Sequence, residues 1–247
     1  MPTLVAPVMG TTVSIDVRDV SVAPGTLEAA VAVLQALEAR FTTYRETSEI
    51  RRLERGELAL EDAHPDVREV LDACAVLRAE SDGAFDANRG GRLDPSGYVK
   101  GWAAERAADV LRAAGARDFS LNLGGDVVCA GEPEPGRPWR VGVRDPHDAG
   151  RVVLVLGVRD GAVATSGLYE RGAHVTDARS GAVPTHWRSV TVLARDLATA
   201  DAIATAALAM GEPGPAWAAA RLGCEVAAVD ADGRLFTSPG LEAARVA

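Results

Sequence analysis

The sequence predicts an α+β protein, antiparallel or mixed sheets packed with helices, in a single domain over residues 1–247. Three observations predict it. Val13-Ser14-Ile15-Asp16-Val17 and Phe119-Ser120-Leu121-Asn122-Leu123 alternate with the period of half-buried strands. Other stretches repeat apolar residues at helical spacing. Strand runs and helices are mixed and do not alternate one for one, which disfavours a doubly wound sheet, and no repeat, low-complexity tract or linker divides the chain.

The elements follow in order. After Met9-Gly10-Thr11-Thr12, residues 13–17 read as an early strand of edge type. Residues 27–40 form a helix led in by Pro24-Gly25-Thr26, with Ala30, Val31, Leu34 and Leu37 on one side. In the polar connection that follows, Ser48 is suited to N-cap a short helix ending near Arg55. Residues 64–80 are an amphipathic helix with Pro65 in the first turn and Val67, Val70, Leu71, Cys74 and Leu77 as its apolar stripe. Ser81-Asp82-Gly83 ends it. Beyond Ala84-Phe85-Asp86-Ala87-Asn88 and the basic Arg89-Gly90-Gly91-Arg92, the turn Asp94-Pro95-Ser96-Gly97 opens a helix over 98–114 that Gly115 stops. The strand at 119–123 runs into Gly124-Gly125-Asp126. Residues 127–130 and 139–143 read as two strands of one hairpin, followed by strands at 152–158, 162–166 and 189–194. A helix over 199–210 closes at Gly211; a helix near 215–222 and a hairpin through Ala231-Asp232-Gly233 come last.

Hydrophobic residues at 47% support a sizeable core, and aromatics at only 4% put that core on Ala, Val and Leu. A net charge of -9 argues against nucleic acid or an anionic membrane as the main partner. An anionic ligand therefore needs local help from a helix N-terminus, glycine-rich backbone or a metal ion. Cys74, Cys129 and Cys224 form no CxxC pattern, so neither a disulfide framework nor a zinc site is expected. Residues 1–17 lack a basic stretch leading into an apolar run, and no stretch has the length of a membrane span. The expectation is a cytoplasmic protein without membrane insertion, although an exported form trimmed of its signal would read the same.

Three constellations can carry chemistry. Lys100 lies in the first turn of its helix, where the macrodipole disfavours a cation, so a nearby anion would account for it; a surface position or a pair with Asp94 would do so equally. The adjoining Gly124-Gly125 offers backbone to a ligand, or simply a hairpin turn. Asp201 and Thr205 stand four apart, and with Thr199 as N-cap their oxygens converge near the helix start, a donor set suited to a hard cation such as Mg²⁺. Asp201 complementing the dipole and Thr205 bonding back to its helix is the alternative. Thr165-Ser166-Gly167 can present donors to phosphate, and His174 with Asp177 can form a base and its orienting partner, or else a turn and a surface histidine.

Taken together, Met9-Gly10-Thr11, Tyr44…Ser48-Glu49-Ile50, Asp82-Gly83-Ala84-Phe85-Asp86, Lys100-Gly101-Trp102-Ala103, Asn122-Leu123-Gly124-Gly125-Asp126 and Trp139-Arg140-Val141-Gly142-Val143 are a series with a known order. Thr165-Ser166-Gly167, His174…Asp177…Ser180-Gly181 and Ala200-Asp201-Ala202…Thr205 continue it. The series resembles the FAD:protein FMN transferases of the ApbE type over most of the chain. Against that pattern, few residues separate Asp86 from Asp94, Leu53-Glu54 stand where an asparagine is usual, and Ala178 where a proline is usual.

The resemblance implies an ApbE-like fold and a Mg²⁺-dependent enzyme. Such an enzyme cleaves FAD, its substrate, transfers FMN to a threonine or serine hydroxyl of an acceptor protein on another polypeptide, and releases AMP. It implies metal ligation by Asp201, Thr205 and the main chain of Gly97, and His174 with Asp177 as the catalytic pair. Met9, Tyr44, Asp94, Lys100, Asn122, Gly124, Gly125, Asp126, Thr165, Ser166 and Gly167 would form the FAD site. The alternatives are an FAD pyrophosphatase giving FMN and AMP, and a non-catalytic flavin-binding protein.

Overall fold

The computed structural model describes residues 1–19, 21–168 and 175–246. Strands β1 (Thr3–Val8) and β2 (Thr11–Val17) form a hairpin whose two-residue tip, Met9-Gly10, has φ of 54° and 68°. Both positive angles suit the twist of a tight hairpin. Helices α1 (Thr26–Phe41), α2 (Glu49–Glu54) and α3 (Pro65–Glu80) follow, α2 capped by the Ser48 hydroxyl at 3.2 Å from the Arg51 amide. A small hairpin of β3 (Asn88–Arg89) and β4 (Arg92–Leu93) precedes α4 (Ser96–Ala113). Then come β5 (Phe119–Leu123), β6 (Asp126–Ala130), β7 (Trp139–Arg144), β8 (Val152–Val158), β9 (Gly161–Gly167) and β10 (Trp187–Ala194). Helices α5 (Leu197–Met210) and α6 (Gly214–Ala219), strands β11 (Glu225–Asp230) and β12 (Leu235–Thr237), and α7 (Leu241–Ala244) complete the described elements.

Eight strands form one sheet in the order β1-β2-β5-β6-β9-β10-β11-β12, every neighbouring pair antiparallel. The α+β class is therefore correct. Val13, Ile15, Leu121 and Leu123 join Leu34, Ala103, Ala107 and Leu208 in the larger core beneath the helices. The ribbon β7–β8 closes a second core with Val127, Cys129 and Val163. Strand β6 supplies both, Val128 to the first and Val127 to the second, so it is buried almost without alternation. Among the described residues no helix is long and apolar enough to cross a membrane.

Four expectations are corrected. Residues 13–17 are not an edge strand: β1 takes the edge. The run Leu4-Val5-Ala6-Pro7 is apolar on both faces, Val5 turning to solvent, so its sequence carries no polar–apolar alternation although its burial alternates. Residues 127–130 and 139–143 do not pair; β6 pairs with β5 and β9, and β7 with β8, because long-range pairing decided between strands of equal local quality. The cap of α5 is Asp196, whose carboxylate accepts from the Thr199 amide at 2.8 Å and the Thr199 hydroxyl at 3.0 Å, and not Thr199. The helix near 215–222 ends at Ala219.

Helices α4 and α5 approach so closely at Gly101 that a Cβ there would lie 2.3 Å from the Leu197 carbonyl and 2.7 Å from Asp201 Cβ. No rotamer relieves a backbone clash of that kind. Gly101→Ala should cost about 1–3 kcal/mol and lower the melting temperature by on the order of 5 °C. A scan matching wild type would show that the helices separate freely.

Candidate functional site

Three elements meet at one buried point. The Gly124-Gly125 tip of the β5–β6 hairpin has φ of 62° and 101°, with the Asn122 carboxamide accepting from the Gly125 amide at 2.8 Å. Asp126 leaves that tip pointing inward. Its Oδ1 accepts the Thr165 amide at 2.9 Å, and its Oδ2, buried without a well-aligned hydrogen bond, meets the Lys100 ammonium at 2.5 Å. Lys100 comes from the second turn of α4, which starts two residues earlier than the sequence suggests, and also faces Asp201 Oδ1 at 3.6 Å. Asp201 Oδ2 accepts the Gly101 amide at 2.8 Å.

Two carboxylates, 2% and 4% exposed, thus share one ammonium. Burial pushes the Asp201 carboxyl well above the usual carboxylate range; Lys100 pulls it back, and Asp126 pushes it up again. The Lys100 partner is this pair and not Asp94, whose Oδ1 instead accepts the Ser96 amide at 3.1 Å at the start of α4.

Next to the pair, Thr205 Oγ1 lies 2.9 Å from Ser166 Oγ, and Thr165 Oγ1 lies 2.8 Å from Thr191 Oγ1. The Thr205 hydroxyl therefore turns to β9. Gly97 fits between Phe85 and Thr205, where a Cβ would meet them at 3.0 and 3.1 Å. The Gly101 amide, one turn on from Gly97, donates to Asp201 at 2.8 Å. Asp201, Thr205 and Gly97 thus stand together where α4 meets α5. Among the described residues there is no cluster of three or more His, Cys, Asp or Glu side chains for a metal, so a cation here would rest on one carboxylate with hydroxyl and carbonyl oxygens.

These residues stand at the base of a cleft of about 580 Å³, within the range of small-molecule sites. Met9, Tyr44, Asp94, Gly97, Lys100, Gly124, Thr165, Ser166, Gly167, Asp201 and Thr205 line it. Tyr44 stands at the rim, 94% exposed, on a loop fixed by Arg51, whose Nε donates to the Thr43 carbonyl at 2.7 Å. Asn122, Gly125 and Asp126 do not line the cleft; they shape its hairpin tip and hold Thr165 and Lys100. The Asp177 carboxylate is bound by Arg179 at 2.8 and 2.9 Å, which holds its carboxyl below the usual range. His174 lies outside the described residues. The buried Cys74 and Cys129 thiols are pushed up to about 12 by desolvation, which leaves them unreactive.

Sequence reasoning passed over Thr11, Phe85, Arg89 and Thr176, which also line the cleft. Phe85 reads as core and Arg89 as solvated charge. Only the glycines beside Arg89, marking a tight turn, hinted that its position is fixed.

A model of the ApbE family matches residues 9–91 and 87–228. The chain belongs to the ApbE family. The FAD:protein FMN transferase of Rhodobacter capsulatus is 39% identical over 162 residues, 62% of this chain and 31% of that protein. The Vibrio cholerae FAD:protein FMN transferase is 34% identical over 131 residues, 49% and 39%. The chain thus spans well under half the length of these curated relatives. The apo flavinyl transferase ApbE of Pseudomonas stutzeri superposes with a TM-score of 0.84 at 26% identity, over 98% of this chain and 96% of that one. The ApbE protein of Thermotoga maritima superposes with a TM-score of 0.89 at 22% identity, over 100% and 99%, a likeness of fold.

Removing the shared ammonium isolates the electrostatic claim. In chelator, Lys100→Met should cost about 2–4 kcal/mol at pH 8, because two buried carboxylates lose their common counter-charge. The Asp201 carboxyl is raised in the fold, so its ionisation penalty is present above the folded pKa and is relieved as pH falls through it. The deficit of the variant in urea denaturation should therefore shrink at pH 5. An equal deficit at both pH values would place its cause elsewhere.

Proposed function

We propose that this chain transfers FMN from FAD to a threonine or serine hydroxyl of an acceptor protein on another polypeptide, with Mg²⁺ bound, and releases AMP. The observation that carries the reading is the charge deficit at the base of the cleft: Asp126 and Asp201 bring two carboxylates to one ammonium. A divalent cation beside Asp201 would reverse that deficit. The donors at hand, a carboxylate, the Thr205 hydroxyl and the Gly97 carbonyl, are hard oxygens of the kind Mg²⁺ takes. When bound there, the ion would neutralise charge on the FAD pyrophosphate and on the phosphorus being transferred.

The chain supplies the rest. Tyr44, at the rim, offers a ring for stacking against the flavin. Ser166, bonded to Thr205, and the glycine tips of β1–β2 and β5–β6 bring small groups and backbone against the nucleotide. His174 takes the proton from the acceptor hydroxyl and Asp177 orients it. The hydroxyl oxygen bonds to the FMN phosphorus as the bond from that phosphorus to the bridging oxygen breaks, and AMP departs with that oxygen. The family membership supports this chemistry, as do the names of the relatives.

The test is titration of FAD with and without Mg²⁺, followed by chromatography of AMP and by labelling of acceptor peptides. Expected are Mg²⁺-dependent binding and AMP release coupled to labelling. AMP without labelling of any acceptor would make water the acceptor, and absence of FAD binding under both conditions would withdraw the reading. His174→Ala should keep FAD affinity and lose on the order of 10²–10⁴-fold in transfer. Asp201→Asn should match or exceed wild type in thermal stability without metal, since Lys100 then faces a single carboxylate, yet should lose the rise in melting temperature that Mg²⁺ gives wild type. A persisting Mg²⁺ shift in that variant would move the metal elsewhere.

A further inference from the structure

The lining of the cleft has an unresolved charge problem. Its carboxylates among the described residues are Glu38, Asp86, Asp94 and Asp201, and its cations are Arg89 and Lys100. Lys100 is committed to the buried pair Asp126 and Asp201. Asp86 is engaged from outside by Arg78 at 2.7 Å. Arg89 has a looser position. Its Nη1 donates to the Thr176 hydroxyl at 2.9 Å, and its Nη2 lies 3.9 Å from Asp94 Oδ2, a charge pair beyond hydrogen-bond distance with both side chains about one-third exposed.

The backbone fixes where that guanidinium stands. Arg89 ends β3, one residue from an Asn88 amide that donates to Asp86 at 2.8 Å, and the β3–β4 hairpin is tied from behind by the Leu93 amide donating to Glu54 at 2.8 Å. The side chain is thereby held beside the start of α4, where Ser96 and Gly97 also line the cleft. A planar, permanently charged fork with one long-range carboxylate partner, next to a helix N-terminus and facing a ligand cleft, is the arrangement that phosphate recognition uses.

We propose that Arg89 binds a phosphate oxygen of the flavin nucleotide and makes the cleft select phosphorylated flavins over the free vitamin. The inference rests on the flavin-nucleotide reading given above. On binding, the guanidinium exchanges its distant contact with Asp94 for a direct one with the phosphate, and Asp94 keeps its hydrogen bond from Ser96.

The test titrates FAD, FMN and riboflavin into the full chain with saturating Mg²⁺, as wild type, Arg89→Gln and Arg89→Lys, by flavin fluorescence. In Arg89→Gln the FAD affinity should fall about 10–100-fold, the range of a hydrogen bond to a charged group, while riboflavin changes less than about twofold. Arg89→Lys, which keeps the charge and loses the fork, should fall between. The salt dependence of FAD binding should also be shallower in Arg89→Gln than in wild type. Equal loss for all three flavins would mean that Arg89 only ties the hairpin to Thr176, and would overturn the proposal, as would unchanged FAD affinity or an unchanged salt slope. Wild type that binds no FAD would instead remove the functional reading itself, an outcome separate from failure of the Arg89 contact.

Discussion

Everything near the cleft is arranged around two carboxylates that have left water and, among the described residues, share one ammonium. Asp126 enters from a hairpin tip, and Asp201 and Lys100 each come from the second turn of their helices, α5 and α4. None of the three positions is comfortable alone. A lysine in the N-terminal half of a helix gains nothing from the macrodipole, and a buried carboxylate pays desolvation. Together they fix the angle at which α4 meets α5 and the place where β6 leaves its turn, and through Asp126 they hold the Thr165 amide as well. The triad is a geometric clamp in which two carboxylates share one ammonium.

The composition explains why such a clamp can exist. With aromatics at 4%, bulk in the core must come from many small contacts. Helix α5 buries Ala200, Ala202, Ala204, Ala206, Ala207 and Ala209, and α4 answers with Ala103, Ala104, Ala107 and Ala108. Small residues on both faces let the axes come close, and Gly101 takes this to the limit at which a backbone amide reaches the carboxylate of the neighbouring helix. A Leu-rich interface would have held the helices apart, and Asp201 would have needed another donor. The alanine content and the hydrogen bond on Asp201 are thus one constraint seen at two scales.

What could be read in the sequence is what depends on nearby residues. Helices α1 and α3 carry full apolar stripes, and the Ser48 cap and the glycine stops are local chemistry, so these elements emerged close to their true limits. The triad members Lys100 and Asp201 were visible as residues, yet their pairing was not, because a lysine at a helix start accepts Asp94, solvent or a distant carboxylate equally well until the helices are placed. Strand pairing failed for the same reason: β6 and β7 are adjacent in sequence and each reads as a good strand, but β9 competes for β6 from about 35 residues away at an entropic disadvantage that grows only logarithmically with separation. Arg89 carries little signal in the sequence, since its place in the cleft depends on a hairpin that is short, polar and held from behind by Glu54.

The motifs of the family also divide by function once they are placed in space. Gly124 faces the cleft, whereas Asn122 and the exposed Gly125 close the turn that presents it and Asp126 points inward. Met9 belongs to the first group and carries a cost: it is a non-glycine residue at φ of 54°, a conformation disfavoured by about 1–2 kcal/mol. The adjacent strands β2 and β5 put this tip next to Gly124, where a Cβ would come within 2.7 Å of the Thr11 hydroxyl. Two tight turns are therefore pressed side by side at the mouth of the cleft, and a longer, relaxed loop in place of the strained Met9 turn would fill that mouth.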